Sequence, residues 1–208
     1  NTVQHFLTAS ILSVPGAIMY AEIMYPSEEI THQIEDIKEE KIYSGSMDAI
    51  TKGTKDGLSI AVNVAAILIS VLALVSIVDG ILGLLSTDLS LQKILGYIFT
   101  PISWLMGVPW SEVSGAAELL GIKIATNEFV AYIQLGSLDP ALFSDRTKVI
   151  VLYALCGFAN FSSVGILISG IGSMAPERIP DLIQVSGKAL VGATLASCLT
   201  GLVAGLFV

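Results

Sequence analysis

Apolar residues in this chain run in long uninterrupted blocks, and the polar residues fall between them. Residues 1–21 contain no Asp, Glu, Lys or Arg, and the apolar stretch continues to about Tyr25. This predicts a membrane helix, kinked at Pro15. His5, near its start, reads more readily as an interfacial histidine than as a proton relay. Pro26, Ser27, Glu28 and Glu29 end the block, and residues 27–45 read as a charged connection outside the hydrocarbon, a solvated face or a short surface helix. From Ser46 a helical spacing begins with Met47, Ile50 and Leu58, and the block from Leu58 to Leu85 holds a single charge, Asp79. One helix over 46–85 would be about 60 Å long at roughly 1.5 Å per residue. That exceeds a hydrocarbon layer of about 30 Å, so the helix would tilt or project. Gly53 and Gly57 are the expected places for a break. Asn63 and Asp79 read as interhelical hydrogen-bonding groups or as groups near the interface.

Thr87, Asp88, Leu89 and Ser90 predict a turn. The apolar stretch 91–110 is interrupted by Gly96, Pro101, Gly107 and Pro109 and carries Tyr97, Trp104 and Trp110. That pattern suggests a helix lying at the membrane interface rather than a span. Between 111 and 137, one apolar piece runs to about Lys123, with Ser111 as its expected cap. A second runs from Glu128 to about Gly136. At about 10 to 13 residues, each is too short to cross a bilayer. Ala125, Thr126 and Asn127 lie between them as a polar tip. Two readings fit: a re-entrant hairpin, or an amphipathic surface helix with Glu128 in water. Leu138, Asp139, Pro140, Asp145, Arg146 and Lys148 read as a polar turn. Residues 149–175 are free of charge, Met174 to Pro180 form the next connection, and 182–208 predict a last helix. Gly192, Ala196, Gly201 and Gly205 give that helix a face of small residues for close packing.

Composition sharpens the class. Of 208 residues, 53% are hydrophobic and 13% charged, with a net charge of −8. Soluble domains carry about a quarter charged residues, so this is an integral membrane protein, and the apolar blocks are too long and too many for a signal peptide. Eight of the eighteen acids fall between Pro26 and Gly57. This marks one exposed acidic connection and argues against nucleic-acid binding. Cys156 and Cys198 sit in apolar segments and read as small buried residues, with no disulfide and no metal site. The chain begins at Asn1, which suggests a portion of a longer protein.

The candidate chemistry lies in the middle of the uncharged run. Its centre is Gly157, Phe158, Ala159, Asn160, Phe161, Ser162 and Ser163. Gly157 weakens a helix there, and Asn160, Ser162 and Ser163 bring polar groups to membrane depth. Backbone that leaves the helical pattern in a membrane survives only where protein or a watery cavity satisfies it. The segment reads either as a broken helix lining a polar site or as a helix whose Asn and Ser bond to neighbouring helices.

The stretch from Ala154 through Leu155, Cys156, Gly157, Phe158, Ala159, Asn160, Phe161 and Ser162 to Ser163 resembles the signature of the concentrative nucleoside transporters. His5-Phe6-Leu7-Thr8-Ala9-Ser10 with Pro15-Gly16-Ala17 resembles an upstream segment of that family. Leu95-Gly96-Tyr97-Ile98-Phe99-Thr100-Pro101 with Trp104-Leu105-Met106-Gly107-Val108-Pro109 resembles a second segment, and Asn127-Glu128-Phe129-Val130-Ala131-Tyr132 a third. They occur in the family's order and match the C-terminal half of its sequence. The resemblance implies an all-α integral membrane fold with a re-entrant helical hairpin and a broken helix, half of an inverted-repeat transporter. It also implies a scaffold part over 1–110, with the long helix at a homotrimer interface, and a transport part over 111–208. The function implied is ion-coupled nucleoside symport at the cell membrane. Glu128, Asn160 and Ser163 would bind ribose, and Phe158 would line the pocket. The coupling ion, Na+ or H+, would be held mainly by residues outside this chain, with no other cofactor.

The residue types fit such a ligand. Ribose hydroxyls in a dry site need partners, since an unpaired buried polar group costs about 1 to 3 kcal/mol. A Glu carboxylate accepts, an Asn amide donates and accepts, and a Ser hydroxyl does either. Asn160 and Ser163 are three apart and share a face wherever helix resumes. Phe158 packs on the ligand or simply in the core. No catalytic set is present: there is no His-Glu-x-x-His, no phosphate-cradling Gly loop, no paired intramembrane Asp and no Ser/His/Asp arrangement. The alternatives are a membrane scaffold or assembly subunit, in which Asn160 and Ser163 are packing residues, and an intramembrane enzyme, which needs a second ionisable group near Glu128.

Overall fold

The computed structural model describes residues 2–26 and 44–208. The charged connection expected over 27–45 therefore lies almost wholly outside the described residues. Within them the chain forms eight α-helices: α1 (Thr2–Met24), α2 (Ser46–Leu85), α3 (Leu91–Leu105), α4 (Val113–Ala125), α5 (Glu128–Ser137), α6 (Asp145–Leu155), α7 (Phe161–Met174) and α8 (Ile179–Gly205), with one 3-10 turn at Pro176–Arg178. Among the described residues, three helical stretches, Val3–Met24, Ser46–Leu85 and Pro176–Gly205, are long and apolar enough to cross a membrane. Their outward apolar residues, such as Ile11, Ile69 and Leu84, are exposed on the chain itself, as expected of faces that meet lipid or further protein.

α2 is one helix of 40 residues and runs through Gly53 and Gly57 without a break. A helical glycine costs only about 1 kcal/mol relative to alanine, too little to interrupt a helix nucleated on both sides. Asp79 makes the interhelical bond its position suggested. Its carboxylate accepts from the Leu91 N–H at 2.7 Å and from Gln92 Nε2 at 3.1 Å. It thereby satisfies an amide in the first turn of α3, a turn that has no intrahelical partners of its own.

α3 and α4 cross antiparallel through glycines. A Cβ on Gly121 would stand 2.7 Å from the Gly96 nitrogen and against the Gln92 carbonyl, so only glycine allows this backbone-to-backbone approach. Gly107, at φ 92°, turns the chain out of α3. Ser111 does not cap α4. Glu112 holds that position with no side-chain cap, because its Oε2 accepts from the Ser144 N–H at 3.1 Å and the Ser144 hydroxyl at 3.0 Å. Asp145, Arg146 and Lys148 are not a turn but the opening of α6, which Ser144 caps by accepting from the Thr147 N–H at 3.3 Å.

α8 begins at Ile179, three residues before the predicted start, with a proline in its first turn. Its small-residue face meets two helices. A Cβ on Gly201 would stand 2.6 Å from the Ile150 carbonyl of α6, and Gly192 lies against Tyr20 and Met24 of α1. The core forms where α3, α4, α6 and α8 meet, around Met106, Leu119, Leu120, Phe143, Ile150 and Leu155. Cys198 is buried there, Cys156 is half-buried, and both are free thiols.

Candidate functional site

Two interruptions meet in this fold. Between α4 and α5 the chain leaves the helix for Thr126 and Asn127, and between α6 and α7 for residues 156–160. Each second half starts on an asparagine. Asn127 Oδ1 accepts from the Val130 N–H at 3.0 Å. Asn160 Oδ1 accepts from the Ser163 N–H at 2.7 Å, while the Ser163 hydroxyl accepts from the Asn160 N–H at 3.0 Å. That reciprocal pair is a capping box. In a low-dielectric interior it satisfies two amides that water satisfies elsewhere.

The cap also orients the amide. With Oδ1 committed to the Ser163 N–H, Nδ2 points away from α7, and it donates to Glu128 Oε2 at 2.8 Å. A carboxylate only accepts, so the geometry is self-consistent. Glu128 is the first residue of α5, where the positive end of the helix dipole favours a carboxylate. Asn160 is wholly buried and Glu128 half-buried. Among the described residues Glu128 Oε1 has no hydrogen-bond partner. The Ser162 hydroxyl donates to the Thr126 carbonyl at 3.3 Å, a second tie between the tip of α4–α5 and the start of α7.

Three of the four residues singled out in the sequence are thus brought together. Glu128, Asn160 and Ser163 form one chain of hydrogen bonds. The donor of Ser163 is committed, since its hydroxyl proton goes to the Asn160 carbonyl at 2.7 Å. A ligand at Ser163 would meet an oxygen lone pair. Phe158 stands apart at 46% exposed. It lines an apolar cleft of about 220 Å³ between α7 and α8, with Ser163, Leu167, Ile171, Ala189 and Ala193. Glu128 and Asn160 do not line that cleft. Its walls are apolar enough for a hydrocarbon chain or another helix, and the polar chemistry lies beside it.

The break itself depends on close packing. A Cβ on Gly157 would stand 2.9 Å from Ser197 Cβ and overlap Ser197 Oγ, so α8 passes where a side chain would otherwise be. Lys123 and Tyr132 were not singled out in the sequence, and His5, read there as interfacial, is half-buried. Lys123 is 1% exposed and donates from Nζ to the Ala154 carbonyl at 2.8 Å. The Tyr132 hydroxyl donates to the Leu152 carbonyl at 2.9 Å. His5 Nδ1 and the Tyr153 hydroxyl are hydrogen-bonded at 3.0 Å, joining α1 to α6. The available signal for Lys123 was a lone cation flanked by Ile122 and Ile124.

Comparison with known proteins bears on this arrangement. The family model described as "Na+ dependent nucleoside transporter C-terminus" matches residues 5–205. The nucleoside permease NupC of Helicobacter pylori is 38% identical over 213 residues, which are 98% of this chain and 51% of that protein. The sodium/nucleoside cotransporter 1 of Mus musculus is 32% identical over 222 residues, 96% of this chain and 34% of that protein. The solved structure of CNTnw in an inward-facing substrate-bound state superposes with a TM-score of 0.77 at 38% identity, covering 98% of this chain and 50% of that one. The chain spans about half the length, or less, of the curated relatives it matches.

Proposed function

The chain belongs to the sodium-dependent nucleoside transporter family, whose C-terminal part it matches, and from that premise we propose that it supplies the ribose-binding half of a nucleoside site in a sodium-coupled symporter of the cell membrane. The observation that carries this reading is the 2.8 Å bond from Asn160 to Glu128, which joins the tips of two interrupted elements. Secondary transporters place substrate at such tips, where half-helix N-termini converge. One carboxylate oxygen is held by the amide, and the other is left to accept from a hydroxyl. Glu128 and Asn160 make the polar contacts to ribose, Ser163 adds an acceptor, and Phe158, which shares the adjoining cleft with Ser163, supplies apolar surface on that side. α4 and α5 are the re-entrant hairpin. The coupling ion is held mainly outside these residues.

Residues 1–110 serve as scaffold and 111–208 as the substrate-binding part that moves. The length of α2 supports a homotrimer built on it, and native mass spectrometry finding only monomers would remove that assignment. The site itself is tested by uridine titration of the complete protein in sodium. Uridine should raise the melting temperature without turnover, and 3′-deoxyuridine should raise it less. If neither nucleoside stabilises the protein, the residues pack a scaffold and the transport reading fails.

A further inference from the structure

Lys123 lies in the last turn of α4 and is the largest fully buried side chain among the described residues. Its ammonium donates to the Ala154 carbonyl at 2.8 Å. α6 ends at Leu155, so the carbonyls of its last turn have no intrahelical partners. Two of them are taken by side chains of the α4–α5 pair. Tyr132 of α5 reaches the Leu152 carbonyl, and Lys123 of α4 reaches the Ala154 carbonyl. Both arms of one element therefore close the C-terminal end of another.

The charges are arranged to match. A cation lies where α4 and α6 end, and a carboxylate lies where α5 begins beside the start of α7. Each charge sits at the helix ends whose dipoles favour it. Among the described residues Lys123 has no ion-pair partner within bonding distance. An ammonium in an apolar interior without a carboxylate is costly. Met or Leu would fill the same volume at no such cost, so packing does not explain the charge. A Cβ on Gly157 would lie 3.6 Å from Nζ, in ordinary contact, so the ammonium sits directly against the break between α6 and α7.

We propose that Lys123 is a positioning residue for the substrate site, a tethered internal cation that clamps the end of α4 to the end of α6 and so keeps Glu128 in register with Asn160. The part concerning substrate rests on the nucleoside reading above; the clamp does not. With the ends held from behind, the two N-terminal ends in front are fixed relative to each other, and the Glu128–Asn160 bond forms before any ligand arrives. Such preorganisation appears as affinity, because the cost of ordering the site is met in folding rather than in binding.

The test uses the complete transporter with Lys123→Met, which keeps length and removes charge. Amide exchange at residues 124–128 and 155–158, measured with no nucleoside, should quicken, and the KM for uridine should rise about tenfold, the loss of one charge-assisted bond, with Vmax changed less. Unchanged exchange and an unchanged KM overturn the proposal. So does a variant with a lower melting temperature but a normal KM, which makes Lys123 merely structural. If Lys123→Met does not fold, Lys123→Ala prepared in methylammonium decides. Recovery of uptake with methylammonium but not tetramethylammonium supports the clamp, and recovery with neither overturns it. Quickened exchange in Lys123→Met beside a parent that binds no nucleoside keeps the clamp and discards the nucleoside reading. Binding in the parent with unchanged exchange in the variant does the reverse.

Discussion

Replacing Glu128 with glutamine probes the site at its most exposed assumption. The amide keeps the shape of the carboxylate. Its oxygen still accepts from Asn160 Nδ2, now 2.8 Å away across a charge-assisted bond, but that bond becomes neutral and roughly half as strong. The other terminal atom changes from an acceptor to an NH2 donor, directed where a ribose hydroxyl would donate. The Asn160 bond is present with or without ligand, so affinity reads the ribose bond alone: losing one charge-assisted bond of about 1.5 to 3 kcal/mol and setting a donor against the hydroxyl donor gives a loss of about 2 to 4 kcal/mol. At 1.4 kcal/mol per decade this is about a 30- to 700-fold loss of affinity. Sodium-driven uptake of labelled uridine in proteoliposomes, with calorimetric binding alongside, reads both velocity and affinity. 3′-Deoxyuridine should bind the parent more weakly than uridine and should lose less on Glu128→Gln. That non-additivity distinguishes direct contact from a general loosening. A Glu128→Gln protein that binds uridine as tightly as the parent would refute the reasoning, and Glu128 would then be a structural partner of Asn160.

Other consequences are equally open to measurement. Gly157→Ala places a methyl on Ser197 of α8 and should destabilise the protein by about 1 to 3 kcal/mol; Ser197→Gly in the same chain should recover part of that in thermal denaturation, and a fully stable Gly157→Ala protein would contradict the packing described. α7 leans on α2 where a Cβ on Gly165 would meet Ile67 Cγ2 at 3.0 Å. A disulfide between Ile67→Cys and Gly165→Cys should therefore arrest uptake while leaving uridine binding intact, and full uptake after verified cross-linking would rule out movement of the binding part against the long helix. Glu112 titrates outside the spanning segments. Desolvation pushes its carboxyl up, but the Thr147 hydroxyl, the Ser144 N–H and hydroxyl, and Lys148 together hold it below its ordinary value of 4.5. A depressed carboxyl stabilises the fold above its unfolded pKa, and that contribution is lost as pH falls through the folded one. The parent should therefore melt above Glu112→Gln at neutral pH, with the gap closing only in the acid range; a gap that does not change with pH would refute this.

Much of this arrangement was legible from the chain because it is written in local signals. Asn127 and Asn160 precede apolar stretches at the places where helices restart, and Gly157 marks the stop between α6 and α7. The two short pieces around Thr126 were too short to span a membrane, whatever their surroundings. What stayed hidden depends on contacts between distant residues. Lys123 reads as an ordinary cation near a helix end until α6, some thirty residues later, supplies the carbonyl it caps. The first turn of α6 reads as a polar turn because Asp145, Arg146 and Lys148 are all hydrophilic, and only the Ser144 cap with its link to Glu112 declares it helical. Gly53 and Gly57 look like breaks in isolation and are carried by the regular helix on either side. The commitment of Ser163 to its own cap was also invisible, because an Asn–Ser pair three apart reads equally as a ligand-binding face.

The capping box at Asn160 has a further bearing on turnover. A carrier must release its cargo and return unloaded as many times as it delivers. Had the amides at the start of α7 relied on cargo for their partners, each release would leave buried donors unmatched, and the unloaded form would become a barrier in the cycle. Here Asn160 and Ser163 satisfy each other's N–H groups. On the nucleoside reading proposed above, cargo would add selectivity without being needed to complete the protein's interior, and its release would leave no donor of this cap unmatched.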